Sequence, residues 1–340
     1  MGATDGDDTT DVDQEVTVAI PTVGRMAMLS ACIDALRSST VHPGEVLLLD
    51  QSGGGDVGRL VRSETVLNLR HEVCDGRGIA RNMNLALRKS ATEAMLVTHD
   101  DCVVAPDWVE RGAAALRAVP GGIVTGRVLG GGADPDVVPS TIGWDEAYDF
   151  TGTLAHGALY PNNMGLHRTT ALDIGGFDER KGFATAAEDL DFSYRWLRSG
   201  GQLRYEPQMT VTHNDWRSPE VLVRLHRHYA RCAGRFYGKH LAHGDRHIAR
   251  QMFADLKLGV KAWRCRLRSG DPVWRDERLQ LPLWVPIGAV EGVIDELVSL
   301  RPASSGLRLV DRYRPNRPGK TNPGGIRTSN ERWDARTPDE

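Results

Sequence analysis

Short apolar runs alternate with stretches of helical spacing through residues 16–126, and that alternation restricts the fold more than any other feature of the chain. Val16–Ile20 is stopped by Pro21 and Gly24, and Glu45–Leu49 by Asp50 and the turn Ser52-Gly53-Gly54-Gly55. Ala94–Thr98 is stopped by His99-Asp100-Asp101, and Val66–Leu69 and Gly122–Gly126 are further short runs. Between them Met28, Leu29, Cys32, Ile33 and Leu36 recur at helical spacing, as do Ile79–Leu87 and Trp108–Leu116. Runs that are apolar throughout are strands buried on both faces. Strands alternating with helices at this pitch predict an α/β fold, a doubly wound and mostly parallel sheet with right-handed crossovers.

A length of 340 residues holds one large α/β domain and an accessory segment. Residues 1–14 carry Asp5, Asp7, Asp8, Asp11 and Asp13 with no basic residue, the composition of a disordered acidic tail. The α/β domain is expected over residues 15–217. Its second half holds a glycine- and proline-containing stretch from Gly130 to Pro161, a helix at Glu188–Leu197, and strands at Leu203–Tyr205 and Met209–His213. Residues 218–300 read as a basic amphipathic helical extension, and residues 301–340, rich in Arg, Pro, Gly and Asn, as a poorly ordered tail.

In the extension, one helix sets Val221, Leu222, Leu225, Tyr229, Cys232 and Phe236 against Arg224, Arg227, Arg231, Arg235 and Lys239. A second sets Ile248, Met252, Leu256 and Trp263 against Arg250, Lys257, Lys261, Arg264 and Arg268. Packing of both on the core is the plainer reading. The sharper one is peripheral contact with an anionic membrane surface.

Composition removes several classes. A net charge of −3 gives no case for nucleic-acid binding. The five cysteines are scattered without a CxxC pair, which argues against a disulfide framework or a zinc cluster. The acidic start lacks the apolar core of a signal peptide, and no run reaches the roughly 20 apolar residues of a spanning helix. A cytoplasmic protein is the expectation, with any membrane contact at the inner face.

In open α/β sheets ligands bind beyond the carboxyl ends of the strands. Pro21-Thr22, Asp50, Asp100-Asp101 and His213 occupy such ends. Taken singly each is an ordinary turn or cap residue. Adjacent Asp100 and Asp101 repel unless donors or a cation compensate, and a divalent metal on a diphosphate would do so. Gly76-Arg77-Gly78-Ile79-Ala80-Arg81-Asn82 places a flexible turn and guanidinium groups at a helix start, which suits phosphate oxygens. It is neither a P-loop nor a dinucleotide fingerprint. Glu188-Asp189-Leu190-Asp191 opens a helix, where carboxylates favour the macrodipole. Asp189 reads equally as a helix-end acid or as a general base for an acceptor hydroxyl.

Across roughly residues 16–213 these pieces resemble family 2 glycosyltransferases of the GT-A fold. The likeness is carried by Val18-Ala19-Ile20-Pro21-Thr22, Leu49-Asp50, Gly78-Ile79-Ala80-Arg81-Asn82 and His99-Asp100-Asp101-Cys102. It continues through Asn162-Asn163-Met164, Gly175-Gly176-Phe177-Asp178-Glu179, Glu188-Asp189-Leu190-Asp191 and His213. The resemblance implies inverting transfer from a nucleoside diphosphate sugar. Asp189 would be the base with Glu188 beside it, and Asp50 would contact the nucleoside. Asp100 would contact the ribose and Asp101 a divalent metal, Mn2+ or Mg2+. Pro21, Thr22, Arg25, Arg81 and Asn82 complete the expected donor site, with Asn163 and Trp196 on the sugar and acceptor side.

His99 stands where a third Asp is common, and an imidazole there favours manganese; His213 is a further expected ligand. Basic side chains alone could also offset the leaving diphosphate. The acceptor is a carbohydrate, a lipid-linked or a small molecule. Two rivals remain, a sugar nucleotidyltransferase and a non-catalytic nucleotide-sugar-binding module.

Overall fold

The computed structural model describes residues 16–132, 141–151, 159–180, 182–183, 185–214, 217, 219–269 and 277–299. The expected tails at 1–14 and 301–340 lie outside them. The strands are β1 (Val16–Thr22), β2 (Glu45–Asp50), β3 (Leu69–Val73), β4 (Ala94–Thr98), β5 (Cys102–Val104), β6 (Ile123–Gly131), β7 (Tyr148–Thr151), β8 (Asn163–His167) and β9 (Gln202–Asn214). The helices are α1 (Met26–Arg37), α2 (Asp56–Ser63), α3 (Ile79–Lys89), α4 (Trp108–Ala118), α5 (Arg168–Asp173), α6 (Glu188–Arg198), α7 (Pro219–Ala242), α8 (Arg246–Ser269) and α9 (Leu281–Ser299).

The strands form one sheet in the order β3-β2-β1-β4-β8-β6-β9-β5, with β7 added on β9. The β3-β2-β1-β4 half is parallel, as is β6 with β9. β8, β5 and β7 run antiparallel to their neighbours. β1 and β2 are buried at every position, as their unbroken apolar runs require. Their register sets Thr22 beside Asp50, so both emerge at one carboxyl edge. Helices α1, α3 and α4 bury Leu29, Ile33, Met83, Leu87, Trp108 and Leu116 in the core with the sheet.

A second core joins the extension to the α/β domain through Phe183, Tyr194, Phe236, Tyr237, Ile248 and Val285. Helices α7 and α9 lie unusually close. A Cβ on Gly234 would collide with the Val285 carbonyl oxygen, and one on Gly238 with that of Ala289. From the other side, a Cβ on Gly288 would collide with the Arg231 oxygen and one on Gly292 with that of Arg235. Paired glycines four residues apart let two backbones approach in this way. Gly288→Ala should therefore cost about 1–3 kcal/mol by overpacking against backbone that cannot rotate away. Urea denaturation followed by circular dichroism checks this, and an unchanged midpoint would mean that α9 shifts freely.

The basic face expected on α7 is corrected in part. Arg231 and Arg235 pair with Glu291, Arg235 also with Asp295, and Lys239 with Asp178 and Asp191. These cations hold α9 and α6 and do not form an uncompensated outer stripe.

Candidate functional site

At the carboxyl edge of β1 and β4, Arg25 bridges two carboxylates. Its guanidinium pairs with Asp100 and, at 2.9 Å, with Asp101. The Thr22 hydroxyl donates to Asp100 Oδ2 at 2.7 Å, and the Val23 amide donates to the same oxygen at 3.4 Å. Arg25 thus supplies the compensation that two neighbouring carboxylates need. Asp100, fully buried, is a brace for the β1–α1 turn and does not line the cleft below it.

That cleft, about 360 Å³, is lined by Arg25, Asp101, His213, Glu188 and Asp189, with His99, Asn162, Arg217 and Tyr229 around them. A volume of this size lies within the range of small-molecule sites. Asp101 leaves the end of β4, while His213 faces it from β9, held by the β5–β9 register that pairs Cys102 with His213. His213 Nε2 and Asp101 Oδ1 are 3.7 Å apart. Burial opposes charge on Asp101, yet His213, His99 and Arg25 hold its carboxyl well below the usual range.

One carboxylate oxygen of Asp101, one His213 nitrogen and Cys102 Sγ lie within 4.8 Å of one another. Burial pushes the Cys102 thiol well up, and a hard dication prefers oxygen and nitrogen donors to sulfur. The remaining O and N donors fit a hard or borderline dication such as Mg2+ or Mn2+. His99 is kept neutral by burial, which pulls it down to about 4, and its Nε2 has no hydrogen-bond partner.

Glu188 and Asp189 open α6 on the opposite wall. The residue before them, Ala187, takes φ 63°, a left-handed conformation that costs a non-glycine residue about 1 kcal/mol or more. The strained turn aims the helix start at the cleft. Glu188 is 4 % exposed, and its Oε2 has no hydrogen-bond partner. Burial, and then the neighbouring Asp189 charge, raise the Glu188 carboxyl well above the carboxylate range. Asp189 Oδ1 accepts from the Leu190 amide at 2.8 Å.

Several expected site residues lie elsewhere. Asp50, at the end of β2, accepts from the Ser52 amide at 2.7 Å and pairs with His71 at 2.9 Å. Arg81 donates to the Asp75 carbonyl and faces Glu179, outside the cleft lining. Pro21 and Thr22 are buried in β1, and Asn82 in α3.

Two further expected site residues have their side chains engaged within the fold. Asn163 accepts from the Trp108 indole and donates to the Arg127 and Met209 carbonyls, so its amide is consumed in joining β8 to β6, β9 and α4. Trp196 donates to the Gln202 carbonyl and is 5 % exposed, packed at the far end of α6. Conversely Asn162 was quoted in the motif without a role. It lines the cleft, and both its amide atoms lack partners. Arg217, just before α7, and Tyr229, on α7, also line the cleft, and no local pattern in the sequence marks either for it.

Residues 17–172 match the family described as Glycosyl transferase family 2. No curated protein sequence gives a significant match. Among solved structures, the mannosyltransferase PcManGT from Pyrobaculum calidifontis, in complex with GDP-Man and Mn2+, is similar at 17% identity and a TM-score of 0.54, covering 83% of this chain and 88% of that one. The S. aureus TarS fragment 1–349 is 18% identical with a TM-score of 0.48, covering 64% of this chain and 65% of that one. The matched region is thus just under two thirds of that TarS fragment. The sheet and its flanking helices have the GT-A glycosyltransferase fold, as the sequence resemblance implied.

Proposed function

We propose that this chain, whose residues 17–172 match glycosyl transferase family 2, moves a sugar from a nucleoside diphosphate sugar to an acceptor hydroxyl with inversion. The observation that carries the reading is one cleft lined by both Asp101 and the Glu188-Asp189 pair. The acceptor oxygen attacks the anomeric carbon, the bond to the diphosphate oxygen breaks, and Asp189 receives the hydroxyl proton. Glu188, whose burial favours the neutral form, orients its neighbour. Asp101 and His213 would hold a divalent metal, Mn2+ or Mg2+, which supplies positive charge for the leaving diphosphate. Arg25, already against Asp101, adds to that charge.

The GDP-Man bound in the similar PcManGT structure supports a donor of this class here. The nucleotidyltransferase alternative needs a free basic loop after the first strand. In this chain Thr22 and Arg25 of that loop are tied to Asp100. The acceptor class follows as carbohydrate, lipid-linked or small molecule. Among the described residues no helix is long and apolar enough to cross a membrane.

Release of nucleoside diphosphate across a panel of donor sugars tests this. Pyrophosphate release from a nucleoside triphosphate and a sugar phosphate would instead establish the nucleotidyltransferase. Tight donor binding without turnover would establish the binding module. Asp101→Asn should abolish metal-dependent binding of nucleoside diphosphate with the fold intact, because a neutral amide is a poor ligand for a hard dication. Calorimetry with and without Mn2+ measures it, and undiminished metal dependence would remove Asp101 from the site.

A further inference from the structure

The helical extension shows solvent a face that its own packing does not explain. On α9 the exposed side chains Leu283, Ile287, Val290, Ile294, Leu297 and Val298 share one arc of the helix. Their spacing repeats four and three residues, so the arc is apolar along nearly the whole helix. The opposite side of α9 is locked to α7 by Gly288 and Gly292. On α8, Phe253, Val260, Trp263 and Leu267 are exposed as well, Leu267 at 81%.

The two faces adjoin at the start of α9. There the Trp263 indole donates to the Leu279 carbonyl at 2.7 Å, and Gly259 sits against Pro282. Next to the apolar arc of α8 runs a second exposed arc of Arg250, Lys257, Lys261, Arg264 and Arg268. The acidic residue within α8, Asp255, is buried under the Tyr237 hydroxyl. A chain with a net charge of −3 therefore concentrates positive charge beside its most exposed apolar surface.

We propose that the joint α8–α9 face is a docking surface for an anionic membrane, with the apolar arcs entering the headgroup boundary and the α8 cations pairing with acidic lipid. Charge selects this occupant over a second copy of the chain. A symmetric partner would present the same positive arc, whereas an acidic bilayer presents the opposite sign. Attachment is along the surface, because α9 is fixed to α7 on its inner side and no described helix can span. On α7, by contrast, Arg231, Arg235 and Lys239 are paired internally with α9 and α6. This inference is independent of the glycosyltransferase reading, and its test requires no turnover.

The full chain is sedimented with vesicles of neutral phospholipid, and with vesicles containing acidic phospholipid, at low and at high salt. Partitioning is expected only with the acidic vesicles at low salt, with release at high salt. Lys257→Glu with Arg264→Glu should weaken it by at least about tenfold, given roughly fivefold for each cation near the surface. Ile294→Asp should do the same by putting a charge in the apolar arc. All three positions are exposed, so circular dichroism should show unchanged folding; should Ile294→Asp misfold, the charge-reversal pair decides alone. A wild-type chain that stays in the supernatant with acidic vesicles at low salt overturns the proposal. So does equal binding to both vesicle types that ignores the charge reversal. A dimer in sedimentation velocity that Ile294→Asp dissociates, with no vesicle binding, assigns the face to a second copy.

Discussion

Asp189→Asn is expected to lower the transfer rate by ~10²-fold or more while donor affinity stays close to wild type. The physical reason lies in how the two acids at the start of α6 differ. Glu188 is enclosed, lacks a partner for one oxygen and is pushed well above the carboxylate range, so burial favours its neutral form, which is a poor base. Asp101 is held well below that range by His213, His99 and Arg25, which makes it a weak base. On the proposed reading, Asp189 is the cleft carboxylate that takes the proton from an acceptor.

An amide keeps the size of Asp189 and can still accept from the Leu190 amide, so the helix start should survive. Steady-state turnover and calorimetric binding of nucleoside diphosphate separate the two contributions. A parallel loss of donor binding would make Asp189 a helix-end acid whose removal disturbs the wall of the cleft. Glu188→Gln should be milder, since a neutral amide replaces a group whose neutral form burial favours.

Much of this arrangement was legible in the chain, for reasons that also mark where legibility stopped. β1, β2 and β4 are buried on both faces, so their apolar runs are uninterrupted and their polar ends, including Asp100 and Asp101, could be placed. β8 was not recognised as a strand because it opens with Asn163 and contains Gly165. The glycine is there because a Cβ would meet Val124 and Leu96 across the sheet, a tertiary requirement that leaves no local pattern. β9 reads as two strands around Pro207. It is one strand whose pairing with β6 shifts between Gly126 and Arg127.

Trp196 was misplaced for a related reason. It lies seven residues beyond Asp189 on nearly the same face of α6, but ~10 Å further along the axis. Helical phase reports the face and is silent on the depth. Arg25 was foreseen as a donor contact, but its pairing with both carboxylates depends on the bend at Thr22–Gly24, which spacing does not encode.

Asp191→Asn should destabilise the protein by about 3 kcal/mol or more, at least ~100-fold in the ratio of folded to unfolded chain. Asp191 is wholly buried on α6, where Arg195 pairs with it at 2.8 Å, Lys239 at 2.7 Å and His240 at 3.0 Å. Burial alone would raise its pKa, yet Lys239, Arg195 and His240 hold it well below 3.8. An amide of the same shape leaves two cations facing a neutral group inside the protein, and the cost is their uncompensated charge. Lys239 retains Asp178 at 2.8 Å, which places the expectation at the lower end of the range for broken buried pairs.

The pH dependence has a definite sign. A carboxyl whose folded pKa is depressed contributes fully above its unfolded value of 3.8, and that contribution is lost as pH falls through the folded value. His240 is lowered from 6.5, chiefly by burial, so wild-type stability should already decline as pH drops below 6.5. The Asn variant removes the carboxylate that favours protonated His240, so its decline on that side should be steeper. Urea midpoints at pH 7.5 and pH 5.5 measure both effects, and Asp191→Leu with Lys239→Met should recover part of the loss by removing charge and countercharge together. Because α6 also carries Asp189, the variant should lose turnover at temperatures where it is still folded, as the anchored helix loosens. A midpoint unchanged by Asp191→Asn would mean that the ion pairs joining α6 to α7 contribute nothing net and that the aromatic core of Tyr194, Phe236 and Tyr237 holds the extension alone.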